Sequence, residues 1–349
     1  EVVVVLPGSP YAVKFFGKHE DALMVAHENT YAAKEAAMEA IFGAIPVDGI
    51  LPVTASTQFP EGTSVQYGAV GRYQWALPEA AGMDGEVLKG IDSVAKAAVK
   101  MGATPGCVVL VMRNGKVVYE KGFGKTEYGK SGVKVDPYET VYDLASVTKI
   151  AATTVSAMKL VHEGKLNVEE SVSAYLSDFR GRGLSHIKVR NLLQHNAGFR
   201  SWIPFYKDCF DSTGTKLKKH IFRSSKSDSF SVKIHENLYM NPQYQDSMWL
   251  QIVNSKIKAN PRVKYSDLSM IVMRRIVEVA SGKPFETYVN EVFYQPMGMN
   301  STAFNPWKNL KQRITPPTEK DSYWRNTKVQ GHVHDQAASM LGGVSGHAG

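Results

Sequence analysis

Hydrophobic and polar positions change period several times along the chain. Residues 2–6 are a continuous apolar run of strand length, closed by the turn cluster Pro7-Gly8-Ser9-Pro10. Residues 21–25 are a second short apolar run. An alanine-rich stretch over 30–42 predicts a helix ended by Gly43, and 46–53 carry a Gly-Ile-Leu-Pro-Val segment. Strand and helix in alternation fit one layer of an α/β sandwich. Residues 66–85 are glycine-rich and read as a linker. Leu88, Ile91, Val94 and Ala98 then recur at helical spacing and predict an amphipathic helix over 88–101, closed by Gly102. Apolar strands at 107–112 and 116–119 flank Asn114-Gly115, a strong hairpin signal.

The next long element is a helix over 147–163, stopped by Gly164. Ala151, Ala152, Val155, Met158 and Leu160 make it apolar nearly all round, which predicts central burial. Helical segments at 167–176 and 189–193 suggest an all-helical subdomain. Residues 205–262 read as an insertion with a weak strand at 231–235. Helices follow at 268–280 and 285–293, separated by Ser281-Gly282-Lys283-Pro284, and Gly342 onward reads as a return to a sheet.

Composition adds little to this outline. The 349 residues are 43% hydrophobic and 21% charged, as in ordinary globular chains of one large or two smaller domains. Two cysteines imply neither a disulfide framework nor zinc-finger spacing; Cys107 opens an apolar strand and Cys209 lies in a polar segment. The net charge of +8 is carried partly by the Ser/Lys-rich stretch 207–233, read as a solvated loop. Such a surface suits an anionic partner such as a cell-wall polymer. No nucleic-acid module signature is present, and no apolar run is long enough to span a bilayer. Both ends read as cut, so the chain is expected to be a piece of a longer protein.

The chemistry centres on Ser146. It lies in Tyr142-Asp143-Leu144-Ala145-Ser146-Val147-Thr148-Lys149, where an apolar segment runs into the long helix. Serine and lysine three residues apart share a helical face, so an amine can take the hydroxyl's proton while a helix start favours developing negative charge. Ser-x-x-Lys starts six times, at Ser93, Ser131, Ser146, Ser156, Ser185 and Ser255. Only Ser146 has both a preceding apolar segment and a helix start. Taken alone, Ser146 reads as a helix N-cap. Lys264-Tyr265-Ser266-Asp267 precedes another helix, and Gly346-His347-Ala348-Gly349 ends the chain.

Ser-x-x-Lys, then a Tyr-x-Asn-like triplet, then His-x-Gly, in that order, resembles the serine β-lactamase and penicillin-binding-protein superfamily, in its class C-type branch. Leu-Leu-Gln-His-Asn-Ala-Gly-Phe (192–199) and Pro-Met-Gly-Met-Asn-Ser-Thr (296–302) are similar to two further stretches of that branch. The resemblance implies an antiparallel sheet flanked by helices plus an all-helical subdomain over 87–349. It implies an acyl-enzyme hydrolase in which Ser146 is the nucleophile, Lys149 its base and Tyr265 a second proton-transfer group. Asp267, standing where the family has Asn, His347, standing for Lys, and Gly349, on a strand edge, would bind substrate. An ionised carboxylate at Asp267 departs from a neutral amide and puts β-lactam turnover in question. No cofactor is implied, and the substrates would be peptidoglycan-derived peptides, esters or β-lactams. A zinc site among His332, His334, Asp335 and His347 is the metal alternative; against it, His334 and Asp335 would order the edge of the active site.

Residues 1–75 carry Val-Val-Leu-Pro-Gly-Ser-Pro-Tyr, Ala-Ala-Met-Glu-Ala-Ile-Phe-Gly and Pro-Val-Asp-Gly-Ile-Leu-Pro-Val-Thr. These resemble the last part of a family 3 glycoside hydrolase, a partial α/β sandwich without its carboxylate pair, joined through a linker at 76–86. The implied whole is a β-N-acetylglucosaminidase fused to a β-lactamase-like domain in the bacterial cell envelope or periplasm. The competing reading is a non-catalytic cell-wall-binding module attached to a glycosidase.

Overall fold

The valine run becomes strand β1 (Val3–Leu6), which pairs in parallel with β2 (Ala22–Val25), Val3 opposite Ala22 and Leu6 opposite Val25. The computed structural model describes residues 2–68, 73–181, 186–258, 261–310 and 313–349. The chain forms two units, Glu1–Gly124 and Lys125–Gly349. In the first, helix α1 (Tyr31–Ile41) follows β2, its N-terminus capped by Thr30 Oγ1 accepting from the Ala33 N–H at 3.2 Å. A short strand β3 (Gln74–Trp75), helices α2 (Gly85–Leu88) and α3 (Gly90–Lys100), and the hairpin β4 (Gly106–Arg113) and β5 (Lys116–Gly124) complete the unit. The sheet order is β3-β5-β4. Asn114 and Gly115 both take positive φ, 52° and 72°, as the tight hairpin turn requires.

Val94 departs from its expected place and is 72% exposed. A break at Lys89 separates α2 from α3, and the inward stripe is centred on Ile91 and Ala95, beside Leu88, Ala81 and Val118.

The second unit holds the larger core. A 3-10 turn (Ala145–Val147) and a π-helical turn (Lys149–Thr154) lead into α4 (Val155–His162). Then come α5 (Val172–Tyr175), α6 (Val189–Leu193), strands β6 (Phe222–Arg223), β7 (Val232–His235) and β8 (Leu238–Met240), α7 (Gln243–Val253), α8 (Asp267–Ser281) and α9 (Phe285–Val289). Helix α10 (Pro306–Asn309), the hairpin β9 (Glu319–Asp321) and β10 (Thr327–Val329), and α11 (Gln336–Met340) close the unit. Helix α8 is its axis: Leu268, Met270, Ile271, Val272, Met273, Ile276 and Val277 are all buried, among Ala152, Leu160, Val189 and Leu192.

Several expectations need correction. The helix expected over 147–163 begins as 3-10 and π turns and is one-sided: Ala152, Ala157 and Leu160 are buried, whereas Met158 is 65% exposed. The helix expected over 167–176 shrinks to α5. Residues 207–233, read as a solvated loop, and the insertion-like residues up to 258 contribute to the core. Their strands and α7 place Ile221, Phe222, Ile234, Met240, Met248 and Trp249 in the core, and Cys209 is buried. Residues 342–349 form turns and bends rather than a strand.

That last segment packs closely. Gly346 has φ +80°, and a Cβ there would stand 2.8 Å from the Met270 carbonyl oxygen and 2.7 Å from Arg274 Cβ. Gly346→Ala is therefore expected to destabilise the protein by about 1–3 kcal/mol. Denaturant unfolding measures this, and a loss below about 0.5 kcal/mol, the usual scale of surface substitutions, would refute the close packing.

Candidate active site

Ser146 sits inside the 3-10 turn rather than at a helix N-cap, and its residue is exposed. The preceding residue, Ala145, has φ +43°. A left-handed non-glycine residue costs about 1–2 kcal/mol and persists only where its surroundings hold it. After the turn the chain widens into a π-helical turn, with the Thr154 hydroxyl donating to the Lys149 carbonyl at 2.8 Å. Single π turns occur often at functional sites.

Lys149 is the buried member of the pair, 4% exposed. Its Nζ lies 2.9 Å from Ser146 Oγ, 2.9 Å from the His347 carbonyl oxygen and 2.8 Å from Asp267 Oδ1. Those three partners match the three protons of an ammonium. They equally match a neutral amine whose lone pair accepts the serine proton while its two N–H groups donate to the other oxygens. Among the described residues, this is the Ser-x-x-Lys pair joined by a hydrogen bond; Ser185 lies outside them.

The 264–267 segment is docked onto 195–201 by its backbone. The Lys264 N–H donates to the His195 carbonyl at 2.8 Å, the Ser266 N–H to His195 Nδ1 at 3.2 Å, and the Asp267 N–H to the Ser201 carbonyl at 2.8 Å. The Ser266 hydroxyl donates to the Arg200 carbonyl at 2.7 Å. Asp267 is thereby fixed as the first residue of α8, facing Lys149. Tyr265 is 52% exposed and presents its ring to Lys149, with Nζ 4.7 Å from the centroid. Among the described residues, no hydrogen bond joins its hydroxyl to Ser146 or Lys149. The Tyr265 ring also meets the His195 ring, at 4.8 Å between centroids. Burial, then the Lys149 charge, lower the His195 pKa from its ordinary 6.5, outweighing Asp267 and the Ser266 bond. An accepting Nδ1 puts its proton on Nε2.

His347 differs most from expectation. Its ring is 1% exposed and bonds through Nε2 to Asp335 Oδ1 at 3.0 Å; the carbonyl, not the imidazole, meets Lys149. Gly349 likewise lines no strand edge. Its carbonyl accepts from the Thr148 hydroxyl at 3.2 Å, and a Cβ there would meet the Phe304 ring at 3.0 Å. The four residues of the zinc alternative do not converge. His332 faces Glu236 and His235, while His334 Nδ1 lies 4.0 Å from Glu319. Three residues of the site carried no assigned role or only a loose one in the sequence: Asp143, His195 and Asp335. His195 has φ +55°, a conformation with no sequence signal.

Residues 91–348 match the Beta-lactamase family model, and the chain belongs to that family of serine hydrolases. It is 29% identical over 295 residues to the "Putative D-alanyl-D-alanine carboxypeptidase" of Escherichia coli O157:H7, covering 78% of this chain and 62% of that protein. It is 30% identical over 268 residues to the N-acetylmuramyl-L-alanine amidase of Bacillus subtilis strain 168, covering 70% of this chain and 55% of that protein. The chain thus spans about three-fifths of the length of these curated relatives. The octameric penicillin-binding protein homologue from Pyrococcus abyssi superposes with a TM-score of 0.52 at 23% identity, over 76% of this chain and 53% of that one. The expected β-lactamase-like fold is borne out.

Burial alone would raise the Asp335 carboxyl. The His347 bond and charge, the Ala338 N–H and the Lys149 charge outweigh it and bring the pKa from 3.8 to about 2. A depressed carboxyl contributes stability above its unfolded value, and that contribution is lost as pH falls through its folded value. Asp335→Asn is expected to lower Tm at neutral pH and to flatten the fall in Tm between about pH 4 and pH 2. An unaltered Tm-against-pH curve would show that the pair contributes nothing.

Proposed function

We propose that this protein is a serine hydrolase that forms an acyl-enzyme on Ser146 and cleaves ester or amide bonds of peptidoglycan-derived peptides. The observation that carries this is the 2.9 Å contact between the exposed Ser146 hydroxyl and the buried Lys149 amine. In the proposed reaction, Ser146 Oγ attacks the carbonyl carbon while Lys149 Nζ takes its proton. Backbone N–H groups of the nucleophile turn hold the oxyanion. The proton then passes to the leaving group through the Tyr265 phenol, whose ring centroid lies 4.7 Å from Lys149 Nζ, and water releases the acyl group. Asp267 and the His347 carbonyl position the amine, so His347 acts through its backbone rather than as a substrate-binding ring. The substrate class rests on the two relatives, whose names denote a D-alanyl-D-alanine carboxypeptidase and an N-acetylmuramyl-L-alanine amidase.

The finer organisation is proposed on the same footing: 1–75 as the tail of a family 3 glycoside hydrolase sandwich, 76–86 as linker and 87–349 as hydrolase. Support comes from the β1–β2 pair. Parallel strands need cover on both faces, and two strands with one helix do not supply it. Phe15, Tyr31 and Phe42 are exposed accordingly. The whole protein would then also be a β-N-acetylhexosaminidase of the bacterial cell envelope. Among the described residues, no helix is long and apolar enough to cross a membrane.

A non-catalytic cell-wall-binding module is favoured by one observation, the Asp267 carboxylate paired with Lys149. Mass spectrometry separates the readings. A reactive ester is expected to add one acyl group to the parent protein, none to Ser146→Ala, and to react at least about 100-fold more slowly with Lys149→Met. Muropeptide binding without any mass shift would favour the binding module, and undiminished labelling of Ser146→Ala would end the hydrolase reading.

A further inference from the structure

The geometry points to Asp143 as a positioning residue that holds the nucleophile turn in its reactive form. The inference rests on the acylation of Ser146 proposed above. Asp143 Oδ1 accepts from the Ala145 N–H at 2.7 Å, and Oδ2 accepts from the His334 N–H at 2.7 Å. One carboxylate thus ties the residue before the nucleophile to a segment far along the chain. Ala145 is the residue with φ +43°. Its amide has a fixed partner only while this clamp is in place, and the next side chain along is Ser146.

The far end of the clamp is itself fixed. Arg325 donates from Nη1 to the Val333 carbonyl at 2.9 Å and from Nη2 to the His334 carbonyl at 2.7 Å. Its Nε bonds to Asp321 Oδ2 at 2.8 Å, with both side chains fully buried, and Nη2 also reaches Glu319 at 3.2 Å. A guanidinium is suited to this work because its donors form a rigid planar fork. The residue after His334 is Asp335, which holds the His347 ring while the His347 carbonyl accepts from Lys149. Adjacent residues of one segment therefore reach both members of the pair: His334 toward Ser146 through Asp143, Asp335 toward Lys149 through His347. The Gly-x-Val-His-Asp stretch, 331–335, gains a role that is neither metal ligation nor substrate contact.

The chemistry demands a carboxylate at 143. Two N–H donors face it, and each oxygen accepts one. Asparagine offers one acceptor and turns an NH2 toward the other donor. Alanine offers none and frees Ala145 to relax to negative φ, which swings the Ser146 side chain away from Lys149.

The test combines crystal structures with acylation kinetics for the parent, Asp143→Asn and Asp143→Ala, using an activated ester as probe. In Asp143→Ala we expect Ala145 at negative φ and Ser146 Oγ out of hydrogen-bond reach of Lys149 Nζ. The maximal acylation rate should fall at least about tenfold with half-saturation unchanged, as displacement of a reacting atom predicts. Asp143→Asn, nearly isosteric, should fall between the two and keeps the test open if the alanine variant does not fold. A folded Asp143→Ala or Asp143→Asn that retains positive φ at Ala145, the Ser146–Lys149 bond and the parental rate overturns the inference. Absence of an acyl adduct on the parent protein would instead overturn the hydrolase reading, and the Ala145 geometry of the variants would still decide the clamp.

Discussion

A lysine amine buried to 4% exposure is the constraint around which the second unit is arranged. Removing an ammonium from water costs several kcal/mol unless every donor is met, and truncating one partner of such a group leaves the rest uncompensated. Lys149 meets that requirement with one local oxygen, Ser146 Oγ, and two distant ones, Asp267 Oδ1 and the His347 carbonyl. Three stretches of chain, at the nucleophile turn, the first residue of α8 and the loop at 345–349, are thus held to one point. The proposed chemistry and the packing of this region share that requirement.

The loop at 345–349 serves the site almost wholly through its backbone. Gly346, His347 and Gly349 each offer a carbonyl, accepting from Thr153 Oγ1 at 2.5 Å, Lys149 Nζ at 2.9 Å and Thr148 Oγ1 at 3.2 Å. All three donors lie within residues 148–153, just after Ser146. Because carbonyls do this work, side-chain identity matters less here than the path of the chain, which the positive φ of Gly346 and the Asp335–His347 bond define. The Ser345 hydroxyl closes the loop on itself by donating to the Ala348 carbonyl at 2.7 Å. Positive φ at Ala145 on one side and the hydrogen-bonded loop on the other leave the Ser146 hydroxyl exposed beside a fully partnered lysine, as the proposed nucleophilic role requires.

What the sequence made legible follows from the range of each interaction. Ser146 and Lys149 could be paired from spacing because a three-residue offset places them on one face of any helical turn, whether 3-10, α or π in detail. The hairpin was legible from Asn114-Gly115 because positive φ at both central residues has a strong compositional signature. Asp267 facing Lys149 was expected only through the family resemblance, since no local pattern connects them. The use of the His347 carbonyl was invisible, because every residue has one, so a histidine near a glycine invited a side-chain role instead. Helix α7 was missed for another reason: Met248, Trp249, Ile252 and Val253 lie beside a Ser/Lys-rich stretch whose polarity dominated the reading, although tertiary packing buries the helix. Val94 shows the converse. It lies three residues after Ile91 but six after Leu88, and the stripe the core receives runs through Leu88, Ile91 and Ala95 instead.

The charge state of the site follows from the same contacts. Lys149 is matched by Asp267 at 2.8 Å, and Asp335 is held by a histidine in the same pocket. His195, lowered below its ordinary value by burial and by Lys149, adds no compensating cation near neutral pH. The cluster around Ser146 therefore presents no excess positive charge, although the chain as a whole carries +8. That excess acts over long distances, would raise the local concentration of any anionic partner, and is weakened by salt. Lys149 Nζ is already engaged by three oxygens of the protein, so it offers no free contact to a substrate beyond Ser146.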